Sequence, residues 1–259
     1  MSTKPLILIP PSEGKAPGGD GPAWAPATMA VDLDDRRQRV MAALRTAMRR
    51  NAVERHRMLG VKGDALAAAT EANRNVATSP TMPAAERFTG VLYDALDLSG
   101  LPTAARRRAD TSLLVLSAVF GLVVPSDPIP DHKLKMSVSL GALRKLSTWW
   151  RDPVSAAIAE RARGRRVWNL LPVEHSAAVR LPGVSQHTVT FLEPNQRGEL
   201  VAVAHWNKLL KGALVRLLLT HPSTTAQDLA DWEHPEGFRL DPTRTTDVEG
   251  VTTLHLVRR

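Results

Sequence analysis

The chain has 259 residues, 43% of them hydrophobic, and 34 Lys+Arg against 26 Asp+Glu leave a net charge of +8. That size and apolar content suffice for a substantial core. The absence of cysteine excludes a disulfide frame, a thiol nucleophile and a thiolate metal site, while the basic balance favours polyanionic partners, chiefly nucleic acid.

In chain order, LILI at 6–9 reads as a first strand and is too short for a secretory signal, so a cytoplasmic location is expected. No uncharged apolar run reaches the roughly 18 residues that a membrane helix needs. Residues 16–31, rich in Gly, Pro and Ala, read as a long loop. From Asp32 to about Arg50, Val40, Ala43, Leu44 and Ala47 recur at helical spacing, and a second helix is expected from Gly63 or Asp64 to about Asn75. Pro83 suits the first position of a helix through Leu96. SLLVLSA (112–118) predicts a buried strand, Leu146–Arg163 a helix, and VWNLL (167–171) another strand. HTVTFLE (187–193) and ELVAVAH (199–205) predict a hairpin. Trp206–Thr220 reads as a basic amphipathic helix and VTTLHLV (251–257) as a closing strand. The irregular alternation favours a single-domain α+β fold over a parallel doubly wound one.

Arginine is the common cation, 26 against 8 lysines, and six of the lysines fall in segments with the look of motifs. In PPSEGK (10–15) the glycine spacing and the terminal hydroxyl of a P-loop are missing. Ser12 and Lys15 remain as a candidate nucleophile–base pair, with a plain solvated turn as the alternative. RMLGVKGD (57–64) fits a helix-hairpin-helix element, in which glycines permit the tight connection and the second helix offers N–H groups to a phosphate. An ordinary helix–turn–helix closed by Gly60 fits equally well.

In DPIPDHKLKM (127–136) alternation places Lys133 and Lys135 on one side of an extended stretch, as an anion site or as a lysine-protected edge strand. His132 receives no role. Lys208, Lys211 and Arg216 fall within about one side of the 206–220 helix. Glu174 and His175 are candidate acid–base groups or metal ligands; no second His/Asp cluster stands at metal spacing, so a structural metal is not expected, and no cofactor is expected. Trp149 and Trp150 read as core anchors.

Five blocks, LILIPPSEGK, RFTGVLYDAL, LLVLSAVFGLVVPSDPIPDHKLKM, VWNLLPVEHSAAV and HWNKLLKGALVR, occur in the order seen in the YaaA family of peroxide stress proteins, which the chain resembles from about residue 5 onward. The resemblance implies a cytoplasmic bacterial protein of the peroxide stress response that limits iron damage. It implies a single mixed helix/sheet domain carrying a helix-hairpin-helix element, about residues 48–76, and a positively charged cleft for duplex DNA. Gly60, Val61, Lys62 and Gly63 match the hairpin, and Lys15, Lys133, Lys208, Lys211 and Arg216 match basic positions of the blocks. The alternative is an enzyme acting on a small phosphorylated or carboxylated metabolite, with chemistry from Ser12, Glu13, Lys15, Glu174 or His175. The chain departs from the better-studied branch of the family at Val124, His132 and Lys135, where that branch has arginine, tyrosine and an acidic residue, and in PPSEGK itself.

Overall fold

The computed structural model describes residues 4–203 and 206–258. Leu6–Ile9 form β1, buried along its whole length as LILI predicts. The Gly/Pro loop that follows contains a short strand, β2 (Gly21–Ala23). Three helices come next: α1 (Asp34–Ala47), α2 (Ala52–Leu59) and α3 (Gly63–Arg74). Asn51 caps α2 by accepting from the Glu54 N–H, and Gly60, at φ 72°, closes it in the left-handed conformation that glycine tolerates.

The single helix expected from Pro83 to Leu96 is broken. Pro80–Pro83 form β3, Ala84–Arg87 a single turn, α4, and Val91–Leu96 the helix α5. Phe88 is extended and bridges to Lys15, and Gly90 sits at φ 96°, outside the helical region. α6 (Thr103–Ser112) has no counterpart among the expected elements. Its buried side consists of Ala105, Ala109 and Ser112, too weak an apolar stripe to stand out.

β4 (Leu113–Ser117), β5 (Gly121–Val123) and β6 (Pro128–Ile129) follow, then α7 (Leu146–Arg161), β7 (Val167–Asn169) and the one-turn α8 (Val173–Ser176). The last part comprises β8 (Gln186–Pro194), β9 (Leu200–Ala202), α9 (Asn207–Thr220), β10 (Phe238–Leu240), β11 (Thr246–Val248) and β12 (Val251–Arg258). β8 and β9 pair antiparallel, Leu192 opposite Ala202, as the hairpin predicts; Ala204 and His205 of that prediction lie outside the described residues.

The main sheet runs β10-β12-β8-β7-β1-β4-β5. Its middle is parallel: β4, β1, β7, β8 and β12 all point the same way. This corrects the expectation drawn from irregular alternation. The crossover from β1 to β4 carries six helices and two small strands, which hides the strand–helix–strand rhythm of a parallel sheet. The buried apolar run of β1 is what a central parallel strand, covered on both faces, requires. Trp150 anchors α7 as expected, fully buried and donating Nε1–H to the Ala118 carbonyl at 2.9 Å. Gly212 lets α9 rest on α5, since a Cβ there would collide with the Leu92 carbonyl oxygen. No helix among the described residues is long and apolar enough to cross a membrane.

One topological feature positions the site. From β1 the chain crosses to β4 on one flank and later returns to lay β7 on the other. In open parallel sheets, the crevice outside the carboxyl ends of strands at such a reversal is where ligands bind.

Candidate functional site

Outside the carboxyl ends of β1 and β7 lies a cavity of about 230 Å³. Ser12, Glu13 and Lys15 reach it from the loop after β1, and Lys133 and Lys135 from the segment after β6. Glu174 and His175 come from α8, and Lys208 from the first turn of α9. Eight of the sequence candidates thus meet at one place. Pro10, Pro11 and Pro172 stiffen its walls.

The loop after β1 is tied down at several points. Tyr93 donates its hydroxyl to the Pro10 carbonyl at 2.9 Å. Ser12 Oγ accepts from the Thr89 N–H at 3.1 Å and donates to the Gly14 carbonyl. Arg87, wholly buried, donates to the carbonyls of Ala16, Gly18 and Ile129. The glycines therefore sit in a fixed turn.

Lys15 Nζ donates to the carbonyl of Ser12 at 3.2 Å, not to its hydroxyl, so the suggested Ser12–Lys15 nucleophile–base pair is not formed. Burial pushes the Lys15 ammonium down to about 8 from 10.5, with Lys133 and Arg87 adding to the fall and Asp131 and Glu13 opposing it. Its Nζ lies 5.7 Å from the centre of the Phe88 ring.

The segment carrying Lys133 and Lys135 is not a strand; β6 ends at Ile129. At Lys133 a side chain takes the place of a neighbouring strand. Asn73, buried on α3, accepts from the Lys133 N–H at 2.9 Å and donates to the Lys133 carbonyl at 2.8 Å, occupying the groups a neighbouring strand would use. Lys133 Nζ approaches Glu13 at 3.9 Å. Lys135 lies along Gly60, where a Cβ would come within 3.0 Å of its Nζ.

Lys135 also borders a second cavity of about 390 Å³, whose further cations are Arg50 and Arg57 on the α1–α2 side. α2 and α3 join through Gly60–Lys62, the compact turn that RMLGVKGD suggests. Lys62 and Gly63 are exposed and border neither cavity.

Glu174 receives the Ser137 N–H at 3.0 Å and the Ser137 hydroxyl at 2.7 Å. Burial would raise its carboxyl; those hydrogen bonds outweigh burial and hold it below the usual range. Burial lowers the His175 imidazole, helped by the charge of Lys208 and opposed by Glu174. His132 is fully enclosed, packed edge-on against Phe120, and bonded through Nδ1 to the Pro130 carbonyl at 2.9 Å. Burial first, then the Lys15 charge, pushes it well below the histidine range, so the ring is neutral.

Two expected site cations lie elsewhere. Lys211 donates to the Leu170 carbonyl at 3.0 Å, just past β7, and burial lowers its ammonium. Arg216 donates to the carbonyls of Leu96, Asp97 and Gly100 and pairs with the Asp97 carboxylate at 3.1 Å. Their helix face is shared with Lys208, but their partners are not. Asn73 and Arg87 were missed by sequence reasoning. RFTG contains Arg87 inside a recognised block, whereas nothing local marks Asn73. A further cavity, about 570 Å³, gathers Glu86, Asp94, Asp97 and Asp110 beside α5 and α6 and holds none of the candidates.

Comparison with known proteins adds the following. The family description peroxide stress protein YaaA matches residues 6–244. A UPF0246 protein of Streptomyces coelicolor is 36% identical over 216 residues, covering 83% of this chain and 82% of its own. UPF0246 proteins of Corynebacterium glutamicum and Corynebacterium efficiens are 34% and 32% identical; they cover 82% and 91% of this chain, and 84% and 94% of their own lengths.

Proposed function

The chain belongs to the YaaA family of peroxide stress proteins, and from that premise we propose that it acts in the stress response by holding duplex DNA, without sequence preference, on the cationic face around these two cavities. The observation that carries this reading is the convergence of Lys15, Lys133, Lys135 and Lys208 from three separate segments on one cavity, continued by Arg50 and Arg57 across Lys135. Phosphate contacts of this kind give affinity without reading bases. Backbone coverage of DNA then limits its exposure to iron and peroxide, and a cytoplasmic location goes with that role.

The test is duplex binding as a function of salt. For the Lys133→Ala/Lys208→Ala double variant the slope of log K against log salt drops by about 2 relative to wild type. Lys211→Ala leaves the slope unchanged, because its ammonium is held by Leu170. Absence of wild-type binding near physiological salt would overturn the DNA reading.

A second reading has its own support. The smaller cavity lies below the usual 300–1,000 Å³ of drug-sized pockets and is far too narrow for a duplex, yet it contains Lys15. A small phosphorylated or carboxylated metabolite fits it, and so does the terminal group of a longer strand. Calorimetric titration with inorganic phosphate tests this: binding that disappears in the Lys133→Ala/Lys208→Ala variant supports a small-anion site.

A further inference from the structure

Lys15 differs from the other cations of the cavity. Lys133 has Glu13 beside it and Lys208 is exposed, whereas Lys15 is half-buried and makes no ion pair within 4.0 Å among the described residues. Its one hydrogen bond among the described residues goes to a neutral carbonyl, its Nζ stands over the Phe88 ring at 5.7 Å, and the loop that bears it is fixed at Tyr93, Thr89 and Arg87. A phosphate contact needs only a charged, solvated ammonium. This amine is desolvated, rigidly carried and open to a cavity, which is the arrangement of a nucleophilic lysine.

We propose that Lys15 forms an imine with the aldehyde or ketone of a ligand whose phosphate or carboxylate is held at the cavity mouth by Lys133 and Lys208. The inference rests on the reading of this cavity as an anion site. In the step itself, the Lys15 nitrogen lone pair adds to the carbonyl carbon. A C–N bond forms and the carbonyl oxygen takes up a proton. The nitrogen, having given up one proton on addition, loses its second as the oxygen leaves as water, so C=N forms and both protons depart in the water. Nothing is oxidised or reduced, and hydrolysis restores the lysine.

The surroundings favour the reactive form. With the ammonium near 8, roughly a tenth of the side chain is a free amine at pH 7. Lys133 and Arg87 oppose its protonation, while Asp131 and Glu13 moderate the effect. The shared chemistry of the ligand is a carbonyl a few bonds from an anion. Two sources supply it: the ring-opened deoxyribose of an abasic site in DNA, and a free sugar phosphate or 2-oxo acid.

Borohydride reduction traps the imine as a stable amine. The full-length protein is incubated with borohydride and either an abasic-site duplex or glyceraldehyde 3-phosphate, with intact duplex as the control lacking a carbonyl. The expected result is one adduct per chain, mapped by peptide mass spectrometry to Lys15 and formed about 10-fold faster than adducts at exposed lysines. Its rate rises with pH through a midpoint near 8. Lys15→Arg, which keeps the charge, and Lys15→Ala abolish it, and mapping on wild type needs no variant at all.

An adduct with the duplex alone assigns a strand as the ligand, and one with the sugar phosphate alone assigns a metabolite. Adducts spread evenly over the lysines, or unchanged in Lys15→Arg, would overturn the proposal. If inorganic phosphate binds but no adduct forms, the imine fails and the anion site stands. If neither occurs, both fall.

Discussion

The two ends of α9 carry the same kind of residue and put it to different uses. At the N-terminal end Lys208 is exposed at the cavity mouth. One turn on, Lys211 is bonded to the Leu170 carbonyl, and at the far end Arg216 gathers three carbonyls and a carboxylate at the C-terminus of α5. The difference shows that a cationic helix face is not a unit of function. Carbonyls left unpaired where a strand or helix ends take up the nearest cation. On this helix it is Lys208, exposed at the cavity mouth, that remains for a ligand.

The comparison can be broken most forcefully at the α5–α9 contact. Gly212→Val places a methyl-bearing Cβ against the Leu92 carbonyl and is expected to destabilise the fold by about 3 kcal/mol, read as a lowered Tm. Arg216→Ala removes the C-terminal clasp, for an expected loss of about 1.5 kcal/mol, with anion binding unchanged at a temperature where both proteins are folded. If Arg216→Ala instead weakens binding and spares stability, the division of α9 into two roles is wrong.

Lys15→Met addresses the cavity itself. The folded ammonium titrates near 8 and the unfolded one near 10.5, so burying the charge opposes folding below pH 8. That opposition fades as pH rises from 8 to 10.5. The variant is therefore expected to be more stable than wild type by about 1–2 kcal/mol at pH 7, after allowance for solvent screening. The gain vanishes above pH 10.5, and denaturant titrations at the two pH values check it. Smallest of all, Lys208→Ala should leave stability within about 0.5 kcal/mol of wild type, and lower the salt slope of duplex binding by about 1.

How much of this was legible in the sequence depends on the distance over which each feature is determined. LILI, the β8–β9 hairpin and α9 announce themselves through local apolar pattern. α6 does not, because its core contacts are alanines. The break at Gly90 follows from a bridge between Phe88 and Lys15, far apart in the chain. The parallel sheet was hidden for the same reason: β1 meets β4 and β7 only after long excursions.

The site divides along the same line. Lysines at 15, 133 and 208 are legible from composition and family blocks, and Lys135 from local alternation; the structure brings the four together. Lys211 and Arg216 were named by the same signals, and are held instead by carbonyls that no local pattern reveals. Asn73 was invisible, since its partner is 60 residues away.

That amide has a consequence for the protein's behaviour in a crowded solution. By exchanging one donor and one acceptor with Lys133, Asn73 stands in for a whole neighbouring strand. At Lys133 the segment therefore shows no free ladder to another chain. Open backbone of this kind, next to Leu134 and Met136, would invite strand-to-strand association between copies. The amide that shapes the cavity wall thus also leaves Lys133 with both its N–H and its C=O already engaged, and nothing there to offer a strand of another copy.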